Sequence, residues 1–272
     1  MTTATITKPP SPVAGDLTMG GVLRSEWTKL RSVRSTWWLL SGTVLLVVGL
    51  GIVVAVLEIN GGTPEQEPPY QVAQQVEFGA LVAQLMLAVL GALVFTGEYG
   101  SGMIRSSISV VPRRLMLLWA KLSVFSVVVL PLTLVSALIA FELGDVVWHA
   151  HHGLRSVGFG DPQVTRIVVG SALVVALTAI CGLGIGAIIR STAGSIATIV
   201  GIFFVLPILA QLALPRGAAG LARFLPANAG DALWGATIGP RSMTPWSGFA
   251  LLCGYTVALI VVAAWRLRRG DA

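Results

Sequence analysis

Charged side chains are the scarcest feature of this sequence. They make up 11% of its 272 residues, whereas apolar residues make up 55%. A soluble domain usually carries about 25% charged residues. The composition therefore excludes a soluble globular domain as the main part of the chain.

Catalytic motifs are also lacking. The sequence has three lysines, Lys8, Lys29 and Lys121, and none follows a glycine, so the Gly-Lys step of a phosphate-binding P-loop is absent. No Gly-x-Ser-x-Gly, His-Glu-x-x-His or Cys-x-x-Cys occurs. We predict a non-catalytic protein with no cofactor and no metal centre. If the protein pumps a solute, its energy comes from another chain.

Cysteine is rare as well. Cys181 and Cys253 both lie inside long apolar runs, so a disulfide framework is not expected. The first apolar run is too long for a signal peptide and lacks a small-residue cleavage pattern. It is predicted to be an uncleaved first span.

Long uncharged windows are abundant instead. Six windows contain no Asp, Glu, Lys, Arg or His: Ser35–Leu57, Phe78–Gly97, Leu122–Phe141, Ile167–Ile189, Ser191–Pro215 and Ser242–Trp265. A helix rises about 1.5 Å per residue and the hydrocarbon core is about 30 Å thick, so about 20 residues cross it. The windows predict an all-α polytopic membrane protein. Its six transmembrane helices are placed at about residues 37–57, 78–96, 122–142, 167–189, 195–214 and 246–265.

The basic residues predict the orientation. With a cytoplasmic N-terminus, the outer loops hold five of the 18 lysines and arginines, namely Arg155, Arg166, Arg216, Arg223 and Arg241, and the inner segments hold the other 13. The positive-inside rule then places both the N- and C-termini in the cytoplasm. The pI of about 10.0 is explained by this topology, and no nucleic-acid partner is expected.

The rest of the chain divides into short segments around this transmembrane domain, residues 37–265. Residues 1–19 are rich in Thr and Pro and predict a disordered cytoplasmic tail, and residues 266–272 form a basic cytoplasmic tail. Residues 20–36 have an amphipathic pattern, which predicts an interfacial helix.

The predicted interfacial helix has four notable residues: Glu26, Trp27, Lys29 and Arg31. Glu26 can reach Lys29 at the i,i+3 spacing. Two interpretations stay open: a helix in the inner headgroup layer, or basic residues that merely retain the first span in the cytoplasm.

The loop after the second span combines glycine, proline and arginine. Its notable residues are Glu98, Tyr99, Gly102, Arg105, Pro112, Arg113 and Arg114. The glycines permit a sharp exit from the span, and Pro112 breaks any helix begun at Met103. This pattern predicts a short helix between two turns, which either docks a soluble partner or is a solvated connector.

Two glutamines and a glycine pair stand out inside the predicted spans. Gln84 and Gln211 are the bulkiest polar side chains there; they line a transport route or make hydrogen bonds between helices. Gly182 and Gly186 form a Gly-x-x-x-Gly pair, which permits close helix contact.

Two outer segments leave alternatives open. His149, His151 and His152 lie in the predicted outer loop 142–166, either as solvated histidines or as a surface metal site. Pro215–Met243 is apolar but interrupted by Gly and Pro. It predicts an interfacial or re-entrant helix pair, or an ordinary long loop.

Two segments resemble the ABC-2 type transporter permeases, especially those of high-GC Gram-positive bacteria. Glu26–Trp38 is similar to the segment that precedes the first span of that family. Gly97–Lys121 resembles the loop after the second span, with its Glu-Tyr, a Gly, an Ile-Arg pair, a Val-Pro-Arg turn and a closing Lys. Gly100 and Met103 depart from the usual pattern.

The resemblance implies a type V exporter-like permease in the bacterial cytoplasmic membrane. Such a subunit dimerises with a second copy or a sister permease and pairs with two separate ATP-binding cassette ATPase subunits. The loop from Glu98 to Arg114 would carry the coupling helix that meets the ATPase. The implied activity is export of a small hydrophobic or amphipathic compound, such as a drug, an antibiotic or a lipid.

Two other functions stay open from the residues alone. One is a self-sufficient channel or secondary carrier, although the lack of mid-span charge counts against a carrier. The other is a membrane-embedded enzyme that uses the three histidines.

Overall fold

Helices account for nearly all of the residues that the structure describes. The computed structural model describes residues 18–61, 68–100, 102–103, 114–152, 158–213, 219–235 and 243–269. Nine α-helices lie in these ranges: α1 Met19–Ser32, α2 Arg34–Gly61, α3 Pro68–Gly100, α4 Arg114–His152, α5 Pro162–Ile189, α6 Thr192–Val200, α7 Leu206–Ala213, α8 Pro226–Trp234 and α9 Pro245–Arg269. A π-helical turn at Gly201–Val205 joins α6 to α7, and a 3₁₀ helix at Ala219–Phe224 precedes α8.

Six segments are long and apolar enough to cross a membrane, which confirms the predicted number. They are Arg34–Leu57, Phe78–Gly100, Arg114–Ala150, Pro162–Ile189, Thr192–Ala213 and Pro245–Arg269. Because successive spans run in opposite directions, α1 and the C-terminal end of α9 lie at the same end of the bundle. We call this the α1 end.

The segment predicted as an interfacial helix, residues 20–36, contains most of α1 and the start of α2. α1 ends at Ser32 rather than at residue 36, because Val33 is extended (φ −84°, ψ 117°). The Val33 carbonyl accepts a hydrogen bond from the Thr36 amide (3.2 Å). A new helix therefore starts at Arg34.

Three segments predicted as loop or tail are helical. α3 begins at Pro68, α4 continues to His152, and α9 continues to Arg269. The prediction ended each span where apolar residues ended, but a helix continues into water until a capping or breaking residue stops it. In α9 the Arg269 guanidinium lies 4.7 Å from the Trp265 ring centroid, one helical turn back, which supports the extension.

α5 is the central helix, because it packs against α3 at backbone distance. A Cβ atom added to Gly182 or Gly186 would collide with the backbone of Ala88 or Ala92, in the second case 2.6 Å from the carbonyl oxygen. Reciprocally, a Cβ at Gly91 of α3 would meet the backbone of α5. The predicted close helix contact at the glycine pair is thus present.

The fifth span is interrupted at its middle. Pro207 has no amide hydrogen and crowds the carbonyl four residues earlier. The wider turn before it, with the Leu206 amide bonded to the Gly201 carbonyl, accommodates the proline. Much of this span is exposed in the single chain, including Ile208 and Leu212.

We expect Gly182→Ala to destabilise the chain because the new methyl group meets backbone, which cannot move aside like a side chain. Overpacking of this kind costs about 1–3 kcal/mol. The matched control is Gly254→Ala in α9, where a Cβ meets nothing within 4 Å. Thermal unfolding of both variants in detergent should show a lower midpoint for Gly182→Ala only; equal midpoints would contradict the close packing.

Candidate functional site

The α1 helix buries a carboxylate on the face that meets the bundle. Thr18 caps its first turn by accepting a hydrogen bond from the Gly21 amide (3.3 Å). Val22 and Glu26 are the buried residues of α1, and Val22 packs against Ala120 of α4. Glu26 therefore faces the bundle, whereas Trp27 is 46% exposed.

Four charged side chains meet at this point. Lys121 Nζ lies 2.7 Å from Glu26 Oε2 and 2.7 Å from Glu98 Oε1, and Lys29 Nζ lies 2.7 Å from Glu26 Oε1 and 2.9 Å from Glu98 Oε1. We call Glu26, Lys29, Glu98 and Lys121 the charge cluster. Each carboxylate contacts both ammonium groups, so the cluster is closed and electrically neutral. It ties α1 to the last turns of α3 and to the first turns of α4.

The charge cluster is buried at its centre. The side chains of Glu26 and Lys121 are 4% and 2% exposed, whereas that of Lys29 is 31% exposed. A buried ion loses its hydration, and this loss is recovered only if every partner is in place. The cluster therefore depends on the joint position of three helices.

Lys121 uses its full donor capacity. A lysine ammonium has three protons, and Lys121 Nζ donates to Glu26, to Glu98 and to the Val94 carbonyl oxygen (3.3 Å). The ring of Phe95 lies 5.5 Å from the same nitrogen, within range of a cation–π attraction. The Lys121 ammonium therefore has a hydrogen-bond acceptor for each of its three protons, near the C-terminal end of α3.

Lys29 stays charged over the physiological pH range. Burial alone would lower the pKa of its ammonium, but hydrogen bonds and negative charge from Glu26 and Glu98 outweigh burial and raise the pKa above its ordinary value. Lys29 therefore does not act as a proton switch near neutral pH.

A cleft of about 410 Å³ opens beside the charge cluster. All four cluster residues line it. Its other walls include Leu90, Val94 and Val124, from α3 and α4. The cleft therefore combines apolar walls with a neutralised charged end.

Other contacts at the α1 end bring the remaining helices to the same place. The Arg190 guanidinium lies 5.5 Å from the Tyr99 ring centroid. Arg190 ends α5 in a left-handed conformation (φ 61°). Arg114 donates a hydrogen bond to the Leu267 carbonyl oxygen of α9 (3.4 Å).

The structure describes four of the seven residues predicted for the coupling loop, and each of the four has a different role. Glu98 belongs to the charge cluster, and Tyr99 contacts Arg190. Gly102 has a φ of 72°, and its amide donates a hydrogen bond to the Tyr99 carbonyl oxygen (3.3 Å). Arg114 begins α4. Arg105, Pro112 and Arg113 lie outside the described residues, as does the predicted short helix.

The other predicted site residues do not join the charge cluster, apart from Glu26 and Lys29. Gln84 is buried in α3, whereas Gln211 is exposed in α7, so the two glutamines have different surroundings. Arg31 is exposed at the end of α1.

The histidines lie at the other end of the bundle. His149 is exposed on α4, which contains all three histidines. The side chains of His151 and His152 are outside the described part of the chain. Among the side chains that are described, no three His, Cys, Asp or Glu residues converge on a metal position.

The segment before the last span packs on the end opposite α1. Arg166 of α5 donates to the carbonyl oxygens of Leu233 (2.7 Å) and Gly235 (3.2 Å). Tyr255 of α9 donates to the Phe224 carbonyl (2.6 Å). These contacts hold α8 and the 3₁₀ helix against α5 and α9. The sequence predicted either an interfacial or re-entrant helix pair or an ordinary long loop for this segment.

Sequence reasoning missed Lys121 as a site residue. Only the i,i+3 pair of Glu26 and Lys29 was predicted, and the structure confirms that contact. A usable signal was the scarcity of lysine: of three lysines in 272 residues, two belong to the charge cluster.

A family model described as ABC-2 family transporter protein matches residues 22–210. The chain belongs to the ABC-2 transporter family. The match covers more than half of the chain and includes all four residues of the charge cluster. No curated protein sequence matches the chain significantly.

Membership and fold together give the coarse function. An all-α ABC-2 permease with six candidate spans is a multi-pass membrane protein, and the family consists of membrane subunits of ABC transporters. The charge cluster lies where the α3–α4 loop of this permease begins and ends.

We expect Lys121→Met to destabilise the permease more than Lys29→Met does. Removing one partner of a buried ion pair costs about 3–5 kcal/mol. The loss of Lys29 should cost less than the loss of Lys121, because its side chain is 31% exposed and water can replace part of its contacts. The free energy of unfolding of each purified variant in mixed detergent micelles measures the two losses.

The double variant Lys121→Met/Glu98→Gln tests whether the charges act together. It removes one positive and one negative charge and should recover part of the stability lost in Lys121→Met. Additive losses would mean that Lys121 and Glu98 do not interact.

Proposed function

We propose that this chain is the membrane subunit of an ABC exporter whose ATP is hydrolysed by separate ATP-binding cassette subunits. The sequence contains no P-loop lysine, so the chain itself has no such site. The observation that carries the proposal is the charge cluster, because it joins both ends of the α3–α4 loop to α1.

The α3–α4 loop is the proposed docking element for the ATPase. Glu98 lies two residues before the end of α3, and Lys121 lies in the second turn of α4. A force on the loop would reach both helices at these positions. Glu26 and Lys29 then transmit the movement to α1, so that three helices move as one unit.

The orientation follows from charge. Arg114 begins α4, and Arg266, Arg268 and Arg269 end α9, all at the α1 end. In the sequence, Arg105 and Arg113 lie between α3 and α4. The positive-inside rule places this end in the cytoplasm, where ATP is available. The corresponding location is the bacterial cytoplasmic membrane.

The proposed substrate is a small hydrophobic or amphipathic compound. Within the predicted spans most of the described buried side chains are apolar, and the few polar ones are Gln84 and scattered Ser and Thr residues. The four charged residues that line the cleft are paired with one another. Such a lining favours a solute that partitions into the bilayer over a hydrophilic ion. A second permease copy or a sister permease would complete the pathway, because the fifth span exposes apolar side chains in the single chain.

Co-purification tests the docking element. We expect the tagged wild-type chain to retain an ATPase with a P-loop in mild detergent, and Arg105→Ala/Arg113→Ala to lose it while still inserting into the membrane. The matched control is Arg216→Ala/Arg241→Ala, which removes two arginines from the predicted outer loops.

Equal ATPase recovery with both double variants would overturn the docking role of the α3–α4 loop. If the wild-type chain purifies alone and supports solute flux alone in liposomes, the protein is a channel or secondary carrier instead.

Cysteine labelling tests the orientation. In a Cys181→Ser/Cys253→Ser background, Arg24→Cys and His149→Cys place one exposed thiol on α1 and one on α4 at the opposite end. A membrane-impermeant maleimide should label only His149→Cys in intact cells. Labelling of Arg24→Cys alone would reverse the orientation.

A further inference from the structure

A second cleft lies next to the cleft at the charge cluster, and Leu30 and Thr36 line both. The second cleft has a volume of about 570 Å³ and lies between α1, α2 and α4. The mouth of the cleft, at the α1 end, is lined by Trp27, Arg31 and Trp37. Its body, between α2 and α4, is lined by the aliphatic residues Leu40, Val44, Val128 and Leu132. The cleft is therefore polar and aromatic at its mouth and aliphatic along its length.

The mouth of the cleft is positively charged because Arg31 lines it. Trp37 Nε1 donates to the Arg31 carbonyl oxygen (2.9 Å), which fixes the turn between α1 and α2. Among the described residues, no carboxylate forms an ion pair with Arg31. A guanidinium binds phosphate oxygens in a bidentate geometry.

The body of the cleft has the depth of one lipid leaflet. Thr36 and Val44, which both line it, are eight residues apart on α2, or about 12 Å at 1.5 Å per residue. Half of a hydrocarbon core about 30 Å thick is about 15 Å. Tryptophan rings prefer the headgroup level, and Trp27 and Trp37 lie at the mouth.

We propose that this cleft binds one anionic phospholipid from the leaflet at the α1 end. The phosphate contacts Arg31, and one acyl chain lies along Leu40, Val44 and Val128. The bound lipid fills the space between α1, α2 and α4, so it supports the position of α1 beside the bundle. This site requires the membrane placement of α1 but not the ATPase partner.

Native mass spectrometry of the full chain, titrated with phosphatidylglycerol or phosphatidylcholine of the same acyl composition, tests the site. Phosphatidylglycerol should bind more tightly, and Arg31→Ala should weaken it by about fivefold, since a basic residue near a membrane surface contributes about 1 kcal/mol. Phosphatidylcholine binding should change less. The charge-matched control is Arg24→Ala, because Arg24 is exposed on α1 and lines neither cleft.

A second variant pair tests the acyl position. Val44→Phe fills the cleft and should weaken both lipids, whereas Leu45→Phe adds the same bulk at a residue that is 73% exposed and outside the cleft. Equal binding of the two lipids by the unmodified chain would overturn the proposal without any variant. Equal losses in Arg24→Ala and Arg31→Ala, or in Val44→Phe and Leu45→Phe, would also overturn it.

Discussion

The structure depends on a neutral set of four charges buried at one end of a bundle of apolar helices. Glu26 and Lys121 are almost completely buried, and neither would be stable there alone, because an unpaired ion in such surroundings keeps its desolvation cost. Together with Lys29 and Glu98 they satisfy one another. The position of α1 is therefore fixed by electrostatics, whereas the α3–α5 contact is fixed by glycine packing.

The electrostatic attachment of α1 and the glycine packing of α3 against α5 have different functional consequences. Close backbone contact at Gly182 and Gly186 makes α3 and α5 a rigid centre. The charge cluster attaches α1 to the same α3 and to α4, at the two ends of the loop proposed to meet the ATPase. In the proposed function, a movement of that loop would reach α1 through the charge cluster.

The sequence was sufficient for the six spans and for the family, and insufficient for the charge cluster. Each span is a long uncharged window, so its existence follows from bilayer thickness alone. Helix ends were harder to predict from the sequence. Val33 separates two helices although it is apolar, and α4 continues from Glu142 to His152 although that segment contains charged and polar residues. Lys29 and Glu98 are 69 residues apart, and no periodicity relates them. Their contact arises from packing of α1 against the bundle, which a single sequence does not encode locally.

Hydrogen–deuterium exchange of α1 in nanodiscs tests most directly whether the charge cluster holds this helix. Exchange reports local opening of a backbone segment. In Glu26→Gln, which removes the carboxylate of α1, the amides of residues 19–32 should exchange faster than in the native chain, while those of α5 stay protected. Glu142→Gln, an exposed glutamate of α4, should leave α1 unchanged. Unaltered protection of α1 in Glu26→Gln would contradict the account.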